Sequence, residues 1–377
     1  MTKPLRVMSV YGTRPEAIKM VPILYALQEA VGVESIVAVT GQHRDMLEQV
    51  HRQFNIKPDY DLKIMRQNQT LNAIAGRILQ DLDPVLERAN PDVVLVHGDT
   101  TSAMAAALAA FNRGIALVHI EAGLRSGDLS CPFPEEANRK MIAQIATLHL
   151  APTSAARASL IREGVAESDI ILTGNSTIDT LMSVIKVPPS FTNQRVRDMV
   201  ATSATNPVML VTMHRRENMG NRLAEVADAV RTVASLHPHC SIIWPGHSKP
   251  GIYKTIRPLL EDIPNIAIVE PLMYHEFIHL VRIARVILTD SGGVQEEGVT
   301  MGTPVLVTRD VTDRVEGLGS GLTVVGTCKE TIVSELDQYL STRNNSSDAD
   351  TSKTSSLIFG DGQAAERTVK AILDVFS

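Results

Sequence analysis

The chain has 377 residues with 36 Lys+Arg against 42 Asp+Glu, a net charge of −6, which excludes the basic footprint that nucleic acid or an anionic membrane surface requires. Its length exceeds the ~100–200 residues typical of one domain, so two domains are expected, each with its own core and a cleft between them. No apolar run approaches the ~18 residues of a membrane span, Cys131, Cys240 and Cys328 are scattered without a C-x-x-C pair, and no leader pattern marks the start, so a soluble protein of the reducing cytoplasm is expected.

In chain order, Leu5 to Tyr11 is an apolar run ending at Gly12, and Pro15 opens a helical pattern reaching Ala30, a strand-turn-helix unit. Ser35–Thr40 repeats the strand signal, and helical patterns follow from about Gln42 to Gln53 and from about Thr70 to Ala89. The run Asp92 to His97 ends at Gly98-Asp99, Ala103 to Phe111 is a helix of small residues, and Ile115 to Ile120 closes at Glu121-Ala122-Gly123. A helix from about Glu135 leads to the strand Leu148–Ala151. Pro188, Pro189, Ser190 and a polar tail then break the pattern as far as Pro207.

Five further apolar runs, Val208–Thr212, Ser241–Trp244, Ile266–Val269, Val286–Thr289 and Val305–Thr308, alternate with helical patterns and predict a second parallel sheet. The segment Ser341 to Ser356 is too polar to bury surface and is expected as a mobile loop before a final helix, about Gln363 to Phe376. With 44% hydrophobic and 4% aromatic residues, the alternation points to α/β architecture, two Rossmann-like doubly wound domains facing a cleft. The expected divisions are an N-terminal domain over 1–184, a connection over 185–206, a C-terminal domain over 207–356, and a terminal helix within 357–377 that packs back on the N-terminal domain.

Ligands of open parallel sheets bind beyond the C-terminal strand ends, and those positions are unusually charged here. They hold Arg14, Glu16 and Lys19 after the first strand, then Asp99, then Glu121 and Arg125, then His214, Arg215 and Arg216, and lastly Asp290 with Ser291. Singly, each could be a helix cap or a wet loop residue; their convergence on several strand ends favours a site. In Asp290-Ser291-Gly292-Gly293-Val294-Gln295-Glu296-Glu297 two glycines at a strand-to-helix turn let backbone N–H groups approach a diphosphate. Glu297 is placed as a ribose-hydroxyl acceptor could be, or is an exposed helix carboxylate. The first turn, Gly12-Thr13-Arg14-Pro15, lacks G-x-G-x-x-G, which disfavours a held NAD. His275-Glu276-Phe277-Ile278-His279 has H-E-x-x-H spacing, but no third ligand is at hand, and an ordinary helix is the expected reading. No cofactor and no metal are expected.

The sequence resembles the non-hydrolysing UDP-N-acetylglucosamine 2-epimerases, from Val7 to about Val375. The resemblance rests on Gly12 to Met20, Thr40-Gly41-Gln42-His43-Arg44, His97-Gly98-Asp99-Thr100, Glu121-Ala122-Gly123-Leu124-Arg125, Pro134-Glu135-Glu136 with Asn138-Arg139, Thr173-Gly174-Asn175, His214 to Asn218, and Asp290 to Glu297. It implies the two-domain fold shared with many nucleotide-sugar glycosyltransferases, a homodimer, and UDP-GlcNAc and UDP-ManNAc as ligands. It further implies that Arg14 and His214 flank the diphosphate, Ser291 and Gly292 bind phosphate, Glu297 the ribose and Phe277 the uracil end, while Asp99, Glu121 and Glu135, with Lys19, form the acid and base set. Repulsion among three carboxylates in one cleft should raise at least one pKa. The alternatives are a hydrolysing relative that releases UDP and N-acetylmannosamine, a retaining UDP-sugar glycosyltransferase, and a non-catalytic UDP-sugar binder.

Two departures from the family pattern bear on function. Asp313-Arg314-Val315-Glu316 stands where the family usually has Glu-Arg-Pro-Glu, and losing Pro frees φ, so the sugar-facing loop around Arg314 is expected to be less fixed. Several bacterial members of the family use UDP-GlcNAc as its own activator, in a pocket to which Gln42, Arg215 and His247 correspond. Asn68 and Lys249 replace residues usual there, so weaker self-activation is expected.

Overall fold

The computed structural model describes residues 3–42, 44–66, 69–246, 250–341 and 357–377. They divide into two compact units: residues 1–180 with 359–377, and residues 181–358.

In the first unit, β1 (Leu5–Tyr11) leads to α1 (Arg14–Glu29), β2 (Val33–Val39), α2 (Arg44–Gln53), β3 (Tyr60–Asp61), α3 (Leu71–Ala89), β4 (Val93–His97) and α4 (Thr101–Asn112). Then come β5 (Ala116–Ile120), α5 (Glu135–Ala143), β6 (Leu148–Ala151), α6 (Ser154–Arg162), β7 (Ile170–Leu172) and α7 (Ser176–Val184). The sheet is parallel, in the order β3-β2-β1-β4-β5-β6-β7. Because the winding reverses between β1 and β4, the loops after those two strands diverge and leave a crevice at the sheet edge, the usual ligand position of doubly wound sheets. Arg14 and Lys19 follow β1 and Asp99 follows β4, so the topology gathers them there.

The second unit repeats the plan. After α8 (Gln194–Ala201) come β8 (Val208–Thr212), α9 (Asn221–Leu236), β9 (Ser241–Pro245), α10 (Pro250–Leu260), β10 (Ile266–Val269) and α11 (Tyr274–Ile283). β11 (Val286–Thr289), α12 (Gly292–Thr300), β12 (Val305–Val307), β13 (Leu322–Val324) and α13 (Lys329–Ser341) complete it. Its parallel sheet runs β10-β9-β8-β11-β12-β13, with the reversal between β8 and β11, ahead of His214 and Asp290.

Central strands are buried on both faces, as their continuous apolar runs require: Val93 to Val96 and Val286 to Leu288 are wholly inaccessible. The small residues of α4, Ala103, Ala105, Ala106, Ala107, Ala109 and Ala110, are buried in the core that also holds Ile74, Ile78, Leu82, Val85 and Leu86 of α3. Gly12 is required by space. A Cβ there would lie 2.0 Å from Thr40 Oγ1 and 2.3 Å from Ser102 Oγ, so only glycine lets the turn after β1 close against the loops of β2 and β4.

The fold differs from the sequence expectation in its lesser elements. β3, β7 and β13 have no counterpart in the sequence pattern, and each is an edge strand of two or three residues, too short for a period to register. The stretch 185–206, expected as a patternless connection, carries α8, capped by Asn193 Oδ1 accepting from Val196 N at 3.2 Å. The expected mobile loop lies outside the described residues apart from Ser341, which ends α13. Among the described residues, no helix is long and apolar enough to cross a membrane.

The C-terminal helix, Ala364–Phe376, packs against α1 and buries Ala364, Ala365, Val369, Ala371 and Ile372. Its first N–H groups have no cap of their own; Asp179 of α7 accepts from Ala364 N at 3.2 Å and Ala365 N at 2.8 Å. Burial pushes this carboxyl up, and those two N–H groups pull it back. Asp179→Ala is expected to cost about 1–2 kcal/mol, read as a lower urea midpoint by circular dichroism. An unshifted midpoint would show that this cap contributes nothing.

Candidate active site

The first unit's group starts at the capping box of α1. Thr13 caps the helix, and Glu16 reaches back to accept from Gly12 N at 3.1 Å and Thr13 N at 2.8 Å. The other Glu16 oxygen takes the Thr100 hydroxyl at 2.7 Å, tying the turn after β1 to the turn after β4. Burial pushes this carboxyl up to about 7, against those hydrogen bonds. Helix α1 therefore begins at Arg14, which is half-buried, and brings Lys19 inward.

Lys19 Nζ pairs with Glu121 Oε2, and both side chains are buried. Glu121 directly follows β5 and sits at φ +62°, a backbone region that costs a residue with a side chain energy and is kept where neighbours hold it. Asp99, beyond β4, is bound by the Arg139 guanidinium at 2.6 and 2.9 Å, and its carbonyl accepts from Asn138 Nδ2 at 2.8 Å. Asn138 and Arg139 lie on α5, the helix that Glu135 opens. The structure thus joins Lys19, Glu121 and Asp99 with the helix that carries Glu135. His97 lies among them. Burial drives its pKa down to about 4 against the pull of Glu121 and Asp99, so it is neutral at neutral pH.

Glu121 has Lys19 and Asp99 has Arg139 as cationic partner. Arg125, counted among the charged strand ends, forms a forked pair with Glu163, with nitrogen–oxygen distances of 2.7 to 3.1 Å.

The second unit's group is organised by Asp290, which is wholly buried. It accepts from His214 N at 3.0 Å, Arg215 N at 2.9 Å and Asn218 Nδ2 at 3.1 Å, and meets His214 Nδ1 at 3.1 Å. Burial alone would raise its pKa; the His214 imidazole and those donors outweigh it and hold the carboxyl at about 2. The ring of His214 is thereby fixed through Nδ1. Ser291 precedes α12, whose first turn is Gly292-Gly293, so the leading N–H groups point out of the helix as an anion site needs.

Arg314 lies over that turn: a Cβ on Gly292 would stand 3.0 Å from its Cζ. Glu296 accepts from Arg314 Nε at 2.8 Å, and Asp313 lies 2.7 Å from Nη1. The loosening expected from Val315 therefore stops short of Arg314, which is 4% exposed and held by two carboxylates. Glu297, early in α12, is buried and accepts from the Tyr274 hydroxyl at 2.8 Å, so it is not an exposed helix carboxylate. Phe277, one turn after Tyr274 on α11, is half-buried.

Sequence reasoning leaves four of these participants without a role. Asn138 and Arg139 belong to a recognised segment and Asp290 to the strand-end charges, but which side chain each holds depends on pairings distant in sequence. Tyr274 stands three residues before Phe277 on one helix face, a spacing that could have flagged it. In the H-E-x-x-H segment, Glu276 accepts from Met273 N at 2.9 Å as a capping box, and His279 Nε2 meets Val187 O at 2.7 Å. Of the regulatory candidates, Gln42 accepts from Ser102 Oγ at 2.7 Å in the first unit and Arg215 lies in the second. His247, Asn68 and Lys249 lie outside the described residues.

Residues 25–373 match the family model described as UDP-N-acetylglucosamine 2-epimerase. The chain is 42% identical to UDP-N-acetylglucosamine 2-epimerase of Escherichia coli O157:H7 over 98% of each chain. It is similar to a crystal structure of UDP-GlcNAc 2-epimerase from Neisseria meningitidis bound to UDP-GlcNAc, at 38% identity and a TM-score of 0.88, covering 98% of this chain and 100% of that one. A co-structure of S. aureus MnaA with UDP is similar at 37% identity and a TM-score of 0.90, over 98% and 97%. With the strand-end groups in place and this likeness running nearly end to end, the chain belongs to the UDP-N-acetylglucosamine 2-epimerase family, isomerases that act on carbohydrates.

Proposed function

We propose that the protein interconverts UDP-N-acetylglucosamine and UDP-N-acetylmannosamine without hydrolysis, by eliminating UDP and adding it back. A C2–H beside an acetamido group is not acidic, so direct deprotonation is too slow. When the C1–O bond breaks as a carboxylate takes the C2 proton, the C–H electron pair becomes the C1–C2 double bond of a 2-acetamidoglucal and UDP leaves with the C1 oxygen. Return of a proton to the opposite face of C2, with UDP oxygen rejoining C1, gives the epimer, and no electrons change hands.

The observation that carries this reading is the group formed by the buried Lys19 and Glu121 with the half-buried Asp99 at the strand ends of the first sheet, next to the helix that Glu135 opens. It supplies carboxylates for proton transfer and a cation paired with Glu121. The second unit's group suits UDP. The α12 N-terminus, Arg314 and a ring-fixed His214 offer donors to a diphosphate and stabilise its charge on departure. Glu297 with Tyr274, and Phe277, suit the ribose and base.

The test is NMR of UDP-GlcNAc incubated with the pure protein in D₂O. The expected result is UDP-ManNAc with deuterium at C2 of both sugars. Retention of the C2 hydrogen would defeat the elimination, and accumulation of UDP with N-acetylmannosamine would make the protein a hydrolase.

A further inference from the structure

Asn175, in the segment Thr173-Gly174-Asn175, is 2% exposed and meets Glu121. Its Oδ1 accepts from Thr177 N at 2.9 Å, a local turn that starts α7. Its Nδ2 donates to Glu121 Oε2 at 3.4 Å, the same oxygen that Lys19 holds. On the other side Asn175 N donates to Phe359 O at 3.0 Å. Gly360 sits at φ +144°, where a side chain is strained, and a Cβ on it would press on Asn175. A Cβ would lie 3.2 Å from Asn175 N and 3.6 Å from its carbonyl oxygen. Arg367 clamps the same stretch by donating to Thr173 O at 3.2 Å, its charge matched by Asp361.

We propose that Asn175 is a positioning residue for the epimerisation, holding the Glu121 carboxylate beside Lys19, and that the returning chain at Phe359 and Gly360 holds Asn175 in turn. The proposal rests on Glu121 taking part in proton transfer, as the proposed function has it. Its physical basis is that a carboxylate at φ +62° has its direction set by neighbours. Glu121 meets the Lys19 ammonium from α1 and the Asn175 amide, and its charge acts on the neutral His97, as does that of Asp99 beyond β4. The amide is a neutral donor, and a donor on a carboxylate favours its ionised form. The returning segment Phe359–Ser377 would then be part of the catalytic apparatus as well as of the fold.

Asn175→Asp tests this without changing size, because Asp keeps an oxygen for Thr177 N and turns the donor facing Glu121 into an acceptor. The expected result is a kcat lower by about tenfold or more, with the acid limb of the kcat profile moved up by about one pH unit. KM and the Kd for UDP should stay as they are, since Asn175 has no part in the proposed UDP contacts. Gly360→Ala should lower kcat in the same way from outside the site, and it carries the test should Asn175→Asp fail to fold; melting by circular dichroism accompanies both. An Asn175→Asp enzyme with unmoved kcat and pH profile overturns the proposal, as does a loss that follows only the melting temperature. Glu121→Gln assayed alongside separates the causes. If that variant is fully active, the reading of Glu121 has failed and this inference with it; if it is inactive while Asn175→Asp behaves like the unmodified protein, only the role of Asn175 has failed.

Discussion

Glu121→Gln is expected to lower kcat by about 10²–10⁴-fold with little change in KM, because a proton-transfer group acts in the transition state and contributes little to ground-state binding. The substitution also leaves Lys19, 9% exposed, without its carboxylate. Removing one partner of a buried ion pair typically costs about 3–5 kcal/mol, so lost activity alone could be read as lost structure. The double variant Lys19→Met/Glu121→Gln separates the two effects. It removes both charges, is expected to regain most of the stability in a urea titration, and is expected to remain as inactive as Glu121→Gln. Activity that returns together with stability would place Glu121 in the framework and leave Asp99 and Glu135 to carry the chemistry.

The central strands and the site residues are legible in the sequence because they are the same signal seen twice. A buried parallel strand must be a continuous apolar run, and a doubly wound sheet must present the residues just after that run at its ligand edge, so Asp99, Glu121, His214 and Ser291 can be read from position alone. Edge strands such as β3 and β13 pair on one side and need few residues, which leaves no pattern to read. The roles of Arg139, Asp290 and Glu16 are equally hidden. Arg139 meets Asp99 forty residues away, Asp290 meets His214 seventy-six residues away, and Glu16 meets Thr100 eighty-four residues away. A charge at a strand end announces a site; which charge orients another is settled by packing. The same holds for electrostatics. Burial raises the pKa of Glu16, whose partners are two N–H groups and a hydroxyl, and the burial of one side chain cannot be read from a count of carboxylates.

Asp290→Asn is expected to impair both stability and turnover, through one cause. The wild-type carboxylate serves Asn218 Nδ2, the backbone N–H groups of His214 and Arg215, and His214 Nδ1, and an amide replaces one of its two accepting oxygens with a donor. At least one buried N–H then faces another N–H, a loss on the order of 2–3 kcal/mol. The pH dependence of the unmodified protein should show the same contribution. Asp290 is held at about 2 in the fold against an ordinary value of 3.8, so its folded pKa is depressed. The stability it supplies is fully present above pH ~4 and is lost as pH falls through about 2, a contribution of roughly 2 kcal/mol at one unit of pKa per 1.4 kcal/mol. In turnover, the Asn variant loses the acceptor that fixes the His214 ring, and kcat should fall by about 10²-fold or more. If Asp290 acts through His214, then His214→Gln should cost about as much, and the double variant Asp290→Asn/His214→Gln should be no slower than the slower single one. Losses that instead multiply in the double variant would mean that Asp290 serves the reaction by a route other than the imidazole, through the backbone of Arg215 or the side chain of Asn218.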